Sequence, residues 1–189
     1  MSVLDVIRSR REATNFQGKQ IPQEILKDII DSAYYAPSGN NLLSREFIIV
    51  ESREMLDYLE KTTPFMKWMA TAQVAIIVTG RPDVSKYWLQ DASIASAFIW
   101  LGATDLGIGV GFGAVYHSED ESGFGAVYHS EDERESETRE SYVRNALHIP
   151  EDRRIVAILG MGFPEGEPKE KKLLKREETI FFEKFGQED

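Results

Sequence analysis

Three short apolar runs constrain this chain more than any other feature. Residues 46–51 read EFIIVE, residues 73–79 read QVAIIVT, and residues 154–161 read RIVAILGM. Each is shorter than a usual core helix and rich in β-branched side chains, so each predicts a buried strand. They lie far apart, and most of the sequence between them has helical character. Residues 3–10 predict a short helix with Ser2 as N-cap and Asp5 three residues on. Ile25, Leu26, Ile29, Ile30 and Ala33 form one face of a helix that Pro22 opens. That helix ends in the turn-forming run Ala36-Pro37-Ser38-Gly39-Asn40-Asn41. Ser52 caps a short amphipathic helix through Glu60. Residues 91–105 (DASIASAFIWLGATD) mix small and large apolar residues and predict a closely packed central helix. Residues 106–115 are glycine-rich and predict a short strand. Residues 135–147 predict a last helix, with Pro150 marking its exit. Short buried strands with more numerous helices mean α+β or α/β, with helices over both faces of the sheet.

The length of 189 residues suits one domain with its own core. A formal net charge of −10 argues against nucleic acid, which selects a positive surface. It also argues against an anionic membrane surface. The chain has no cysteine, which excludes disulfides, thiolate nucleophiles and cysteine-held metal clusters. The opening MSVLDVIRSRREATNF lacks the apolar run of a signal peptide, and no stretch reaches membrane-helix length. The expectation is a soluble cytoplasmic protein. Of the histidines His117, His129 and His148, the first two fall in a repeated segment, so no metal site is expected.

That repeat is GFGAVYHSEDE, at residues 111–121 and again at 123–133. Two copies make no solenoid. The expectation is a tandem duplication in which one copy continues a core strand and the other is tolerated.

Four clusters could carry chemistry. Arg8, Arg10 and Arg11 follow the first helix; guanidinium forks match phosphate oxygens, although basic residues also suit a helix C-terminus. Residues 37–41 could present amides to a planar polar ligand, or be simply a turn. The glycines at 107, 109, 111 and 113 superficially match a dinucleotide fingerprint. That fingerprint requires a strand before it and a helix after it, and here the order fails. A backbone bared for a flat ring is the better account. Lys171, Lys172, Lys175 and Arg176 form a basic run near the C-terminus. No Ser-His-Asp triad, Walker loop, catalytic carboxylate pair or metal-ligand spacing is present.

Taken in order, these segments resemble the nitroreductase family from about residue 3 to residue 185. Residues 10–16 (RREATNF) resemble its N-terminal RRSxRxF motif, and residues 36–41 (APSGNN) its APSSGN loop. Residues 91–95 followed by 106–109 are similar to its central helix and LGLG turn. Residues 154–164 resemble its VVALIALGYP strand and turn, and residues 177–182 its closing EEIVHW.

The resemblance implies an α+β, three-layer fold with a mainly antiparallel central sheet, intertwined as a homodimer that binds FMN at its interface. It implies that Arg10 and Arg11, with Glu12 and Thr14 in the same motif, lie at the FMN phosphate together with a C-terminal cation from Lys172, Lys175 or Arg176. Pro37, Ser38, Gly39 and Asn41 would approach the flavin across the interface. Phe112 falls where the family often has Trp, Gly113 and Ala114 where backbone faces flavin N5, and Gly162 in a second flavin-side turn. The implied reaction is ping-pong hydride transfer from NAD(P)H through N5 to a small acceptor such as a nitroaromatic or quinone, with no catalytic side chain.

Departures accompany the match. Glu12 stands where the family has Ser, Thr14 where it has Arg or Lys, and Leu43-Ser44-Arg45 where it often has Gln-Pro-Trp. A carboxylate beside a phosphate is repulsive unless it turns away or pairs with an arginine. The alternatives left by the sequence are a flavin-binding member without turnover and a nicotinamide-binding Rossmann enzyme.

Overall fold

A computed structural model describes residues 2–116, 138–168 and 170–187. Its elements run α1 (Val3–Ser9), α2 (Gln23–Tyr34), β1 (Arg45–Val50), α3 (Arg53–Leu59), β2 (Val74–Gly80), α4 (Trp88–Asp105), β3 (Gly109–Ala114), α5 (Arg139–Leu147) and β4 (Arg154–Gly162). Short 3-10 turns sit at Gly39–Asn41, Glu60–Thr62, Lys67–Thr71 and Arg176–Glu178. The strands form one sheet in the order β1-β2-β4-β3, with every neighbouring pair antiparallel.

Strand side chains alternate between two cores, as a period of two requires. From β2, Val74, Ile76 and Val78 enter a core with Leu26, Ile29 and Ala33 of α2 and Ala92, Ile99 and Ala103 of α4. Ala75 and Ile77 enter the opposite core with Leu56 and Leu59 of α3, Trp68 and Met69 of the 67–71 turn, and Tyr142 and Val143 of α5. The result is three layers, helix on sheet on helix. The β2–β4 register shifts after Val78, and Val156 and Ala157 of β4 both face the α2/α4 core. This is the signature of a β-bulge.

Local chemistry sets the helix limits. Ser2 and Asp5 form a capping box on α1, with the Ser2 side chain accepting from the Asp5 N–H. Ser52 caps α3, its side chain accepting from the Met55 N–H. Thr138 caps α5, which ends at His148 with φ 53°. The small residues of α4 do what the sequence predicts. Gly102 lies so near Ser32 of α2 that a β-carbon there would stand 2.9 Å from the Ser32 Cβ.

The three predicted strands and the glycine-rich fourth all appear, and α4 starts three residues earlier than expected, at Trp88. The first copy of the repeat supplies the end of β3. The rest of that copy after Tyr116, all of the second copy, and residues 135–137 of the predicted last helix lie outside the described residues. No helix among the described residues is long and apolar enough to cross a membrane.

Candidate functional site

The chain leaving α1 runs as a strap along the outer edge of β3. β3 is an edge strand, so alternate residues turn their backbone groups away from β4. The Val110 carbonyl accepts from the Ala13 N–H at 3.0 Å. The Phe112 N–H donates to Glu12 Oε1 at 3.3 Å. By the same alternation the Ala114 N–H and C=O point outward beyond the strap. Further along, Phe16 pairs with Pro164, and the Gln17 N–H donates to the Phe163 carbonyl at 2.8 Å. Glu12 therefore turns its carboxylate onto the sheet edge, which answers the repulsion its presence in a phosphate motif would create. Thr14 is exposed on the same strap.

Two residues before Glu12, Arg10 lays its guanidinium over Trp100 of α4, 4.4 Å from the ring centroid. The Trp100 ring is itself stacked on Phe112, with centroids 5.8 Å apart and planes 6° from parallel. Its indole N–H donates to the Arg11 carbonyl at 3.2 Å. Arg11 folds back and donates to the carbonyls of Arg8, Ser9 and Arg10 at 2.8–3.0 Å, closing the C-terminal end of α1. A cation there satisfies orphan carbonyls and complements the helix dipole.

From the far end of the sequence, Lys171 reaches the same place. Its Nζ donates to the Ile7 carbonyl at 3.0 Å. Desolvation first, then the charges of Arg10 and Arg11, hold its ammonium below the usual lysine pKa. The sequence reading chose Lys172, Lys175 and Arg176 for this role. The structure brings Lys171 to the arginines instead, while Lys172, Lys175 and Arg176 are exposed on the tail and Lys175 faces Glu178 at 3.9 Å. The run gave no way to tell one lysine from its neighbour.

The glycines have a use the sequence did not show. Gly109, Gly111 and Gly113 of β3 and Gly160 and Gly162 of β4 present one face of the sheet, and it is filled by the protein's own side chains. A β-carbon on Gly111 would stand 2.7 Å from the Trp68 ring, on Gly113 2.6 Å from Met66 Sδ, and on Gly162 2.8 Å from Phe16 Cβ. The flat ring that β3 is bared for is, on this face, Trp68. The glycine run lies within an antiparallel strand, which removes the strand–loop–helix unit of a Rossmann site.

The 36–45 segment hangs from α4 by a buried carboxylate. Asp91 is 3% exposed and Ser44 0%. Asp91 Oδ1 accepts the Gly39 N–H at 2.8 Å, and Oδ2 accepts the Ser44 hydroxyl at 2.5 Å. Ser38 Oγ donates to the Leu42 carbonyl at 2.8 Å. Asn40 and Asn41 both take positive φ, 54° and 55°. Gly39 presses on Tyr87, leaving no room for a β-carbon. Pro37 and Asn41 are exposed. Arg45 donates to the Ala36 carbonyl, and its Nε is buried without a hydrogen-bond partner. Burial lowers the Arg45 pKa, and the charge of Asp91 opposes that. The sequence reading missed Asp91, Ser44, Trp68 and Trp100, because their partners are remote in the chain.

Known proteins resemble this chain in sequence and fold. A sequence model of the Nitroreductase family matches residues 7–63. A Methanothermobacter thermautotrophicus protein with the provisional name NADH dehydrogenase/NAD(P)H nitroreductase is 32% identical over 171 residues, which span 89% of this chain and 80% of that one. A crystal structure from Bacteroides thetaiotaomicron under the same provisional name superposes with a TM-score of 0.81 at 28% identity, covering 98% of this chain and 99% of that one. The FMN-dependent nitroreductase of Clostridium difficile shares the fold with a TM-score of 0.81 at 24% identity, covering 96% and 99% of the two chains. The chain belongs to the nitroreductase family.

Proposed function

We propose that this protein is an FMN-dependent NAD(P)H oxidoreductase that reduces a small acceptor such as a nitroaromatic or quinone by a ping-pong route, as a cytoplasmic homodimer. The observation that carries the reading is the convergence of Arg10, Arg11 and Lys171 beside the open edge of β3. Guanidinium forks and an ammonium converging on one place suit a phosphate monoester, whose oxygens accept charge-assisted hydrogen bonds. The same strap leads from these cations, past the Phe112 N–H that Glu12 holds, to the outward-facing backbone of Ala114, where the polar edge of a flavin would find a donor and an acceptor. The residues present thus fit FMN at both its ends.

When bound, FMN supplies the redox chemistry between the nicotinamide and the acceptor. The chain's own residues bind and orient. Arg10, Arg11 and Lys171 hold the phosphate, and Glu12 fixes the strap to β3. Phe112 and Trp100 support the site from the sheet side. The loop of Pro37, Ser38, Gly39 and Asn41 contacts the flavin ring across the dimer interface. No side chain is assigned as acid or base.

The dimer reading is supported by apolar surface left bare in one chain. Ile94 and Phe98 of α4 are each 40% exposed. Val3, Leu4 and Ile7 of α1, which packs on α4, are exposed too, as are Leu173, Leu174 and Phe185 of the tail. Exposed large apolar side chains gathered on neighbouring elements mark interaction surfaces. NAD(P)H as reductant fits a cytoplasmic setting.

The test is the absorbance spectrum of the purified protein with and without added FMN, followed by NAD(P)H oxidation with a nitroaromatic or quinone. Bound flavin bands and acceptor-dependent turnover are expected. A protein that takes up no FMN overturns the reading, and one that binds FMN without turnover reduces it to flavin binding. Light scattering showing a stable monomer at micromolar concentration overturns the dimer.

A further inference from the structure

We propose that Asp91 is the positioning residue of the flavin-facing loop, holding Gly39 and Ser44 with its two carboxylate oxygens so that Asn40 and Asn41 keep the conformation that presents the loop. The inference rests on the flavin reading above.

Besides Asp91, the segment between Ala36 and Arg45 is tied to the rest of the protein by the Arg81 N–H, which donates to the Ser44 carbonyl at 2.7 Å, and by the packing of Gly39 on Tyr87. Two successive asparagines with positive φ form an unusual turn, tolerated by asparagine better than by most residues but costly all the same. Such a turn persists where its surroundings over-determine it. Here Asp91 supplies that constraint from both sides, since Gly39 precedes the turn and Ser44 follows it. The carboxylate is buried and projects from the first turn of α4, a helix packed on the sheet and on α2. The loop is thus referenced to a rigid element, as a precise binding site requires.

Charge matters as well as geometry. Arg45 stands where the family often has an aromatic residue, and its guanidinium is partly buried with Nε unsatisfied. It tethers the Ala36 carbonyl, the other end of the loop. Asp91 is the negative charge that offsets it. Removing that charge leaves a partly buried cation without compensation. Asp91→Asn keeps an acceptor for the Gly39 N–H, can hold the Ser44 hydroxyl only by a weaker, reversed bond from its NH2, and loses the charge; Ser44→Ala loses one bond only.

The experiment titrates FMN and riboflavin into wild type, Asp91→Asn, Ser44→Ala and Glu140→Gln, with amide exchange measured at Gly39 and Asn41. Glu140 is a carboxylate of α5 bonded to Arg154 and to the Ile155 N–H, remote from the loop in sequence and on the opposite face of the sheet. Asp91→Asn is expected to weaken FMN and riboflavin alike, by tenfold or more, because the loop serves the ring and not the phosphate. Ser44→Ala should weaken both by a smaller factor. Loop amides should exchange faster in both variants. Glu140→Gln should lower the melting temperature and leave flavin affinity unchanged. Wild-type flavin affinity in both loop variants overturns the proposal, as does an equal loss in Glu140→Gln at matched stability. A wild-type protein that binds no flavin overturns the functional reading and this inference with it, so the wild-type titration tells the two failures apart.

Discussion

The guanidinium of Arg10 and the indole of Trp100 are stacked, 4.4 Å from charge centre to ring centroid, and the same indole donates its N–H to the Arg11 carbonyl. One aromatic side chain on α4 thereby fixes both arginines of the proposed phosphate site without reaching a ligand itself. Cation–π contacts contribute about 0.5–2 kcal/mol depending on desolvation. Trp100→Leu is therefore expected to weaken FMN roughly 2- to 30-fold on that scale, and riboflavin, which lacks the phosphate, much less. Trp100→Phe should recover part of the loss. Fluorescence titration with both flavins checks this, and equal losses for the two would place Trp100 outside phosphate binding.

The architecture was legible because it follows from short-range pattern. The runs at 46–51, 73–79 and 154–161 are β-branched and apolar enough to be strands in any context, and Ser2, Pro22 and Ser52 mark helix starts by local chemistry. The site was legible only in part. Arg10 and Arg11 could be singled out because guanidinium pairs after a helix suit phosphate. Lys171 could not be separated from Lys172, since the two differ only in which way an irregular tail turns. Asp91 and Ser44 are 47 residues apart, so their bond is a product of the packing of α4 and leaves no local trace. The glycines of β3 suggest a bared surface, but the occupant of one face, Trp68, is more than 40 residues away in the chain.

Lys171 gives the site a pH dependence. Its folded-state pKa is lowered from the usual 10.5, by desolvation foremost and then by Arg10 and Arg11. A phosphate bound beside it favours the charged form, so binding takes up a proton once the free site has begun to lose one. FMN affinity should therefore be flat near neutral pH and fall in the alkaline range, starting below 10.5. The sign for stability is opposite. The unfolded chain holds this proton more tightly than the folded one, so without ligand the Lys171 contribution improves as pH rises through that window. Lys171→Arg should shift the alkaline fall in FMN affinity to higher pH, and Lys172→Ala should leave it in place. An unchanged profile in Lys171→Arg would remove Lys171 from the site.

Gly111 is expected to be intolerant of any side chain. A β-carbon there would lie 2.7 Å from Trp68 Cε3, and the same ring also lies directly over Gly160 of β4. The ring is buried in the core with Met66 and Met69, so Gly111→Ala should cost about 1–3 kcal/mol through overpacking. Trp68→Leu in the same chain should restore part of it, since the smaller side chain leaves room for the methyl group. Urea denaturation of the single and double variants measures the coupling; additive losses would mean that Gly111 and Trp68 do not compete for the same space.

The repeat offers a test on the scale of a segment. The first copy begins inside β3, where Gly111, Phe112, Gly113 and Ala114 pair with Gly160, Leu159, Ile158 and Ala157 of β4. Val115 and Tyr116 then both donate to the Val156 carbonyl, continuing the contact past the strand. The core therefore already has its GFGAVY from the first copy, and a second is not needed to complete the sheet. Deleting residues 123–134 joins Ser122 to Glu135 and leaves every described pairing of β3 intact. Shortening a connection changes closure entropy only slowly, about 0.6 kcal/mol per factor of two in length. The deletion is expected to melt within a few degrees of the full chain and to bind FMN with unchanged affinity. Thermal melts and flavin titration decide it. A deletion that aggregates, or that loses flavin while the full chain retains it, would show that the added copy has become part of the structure.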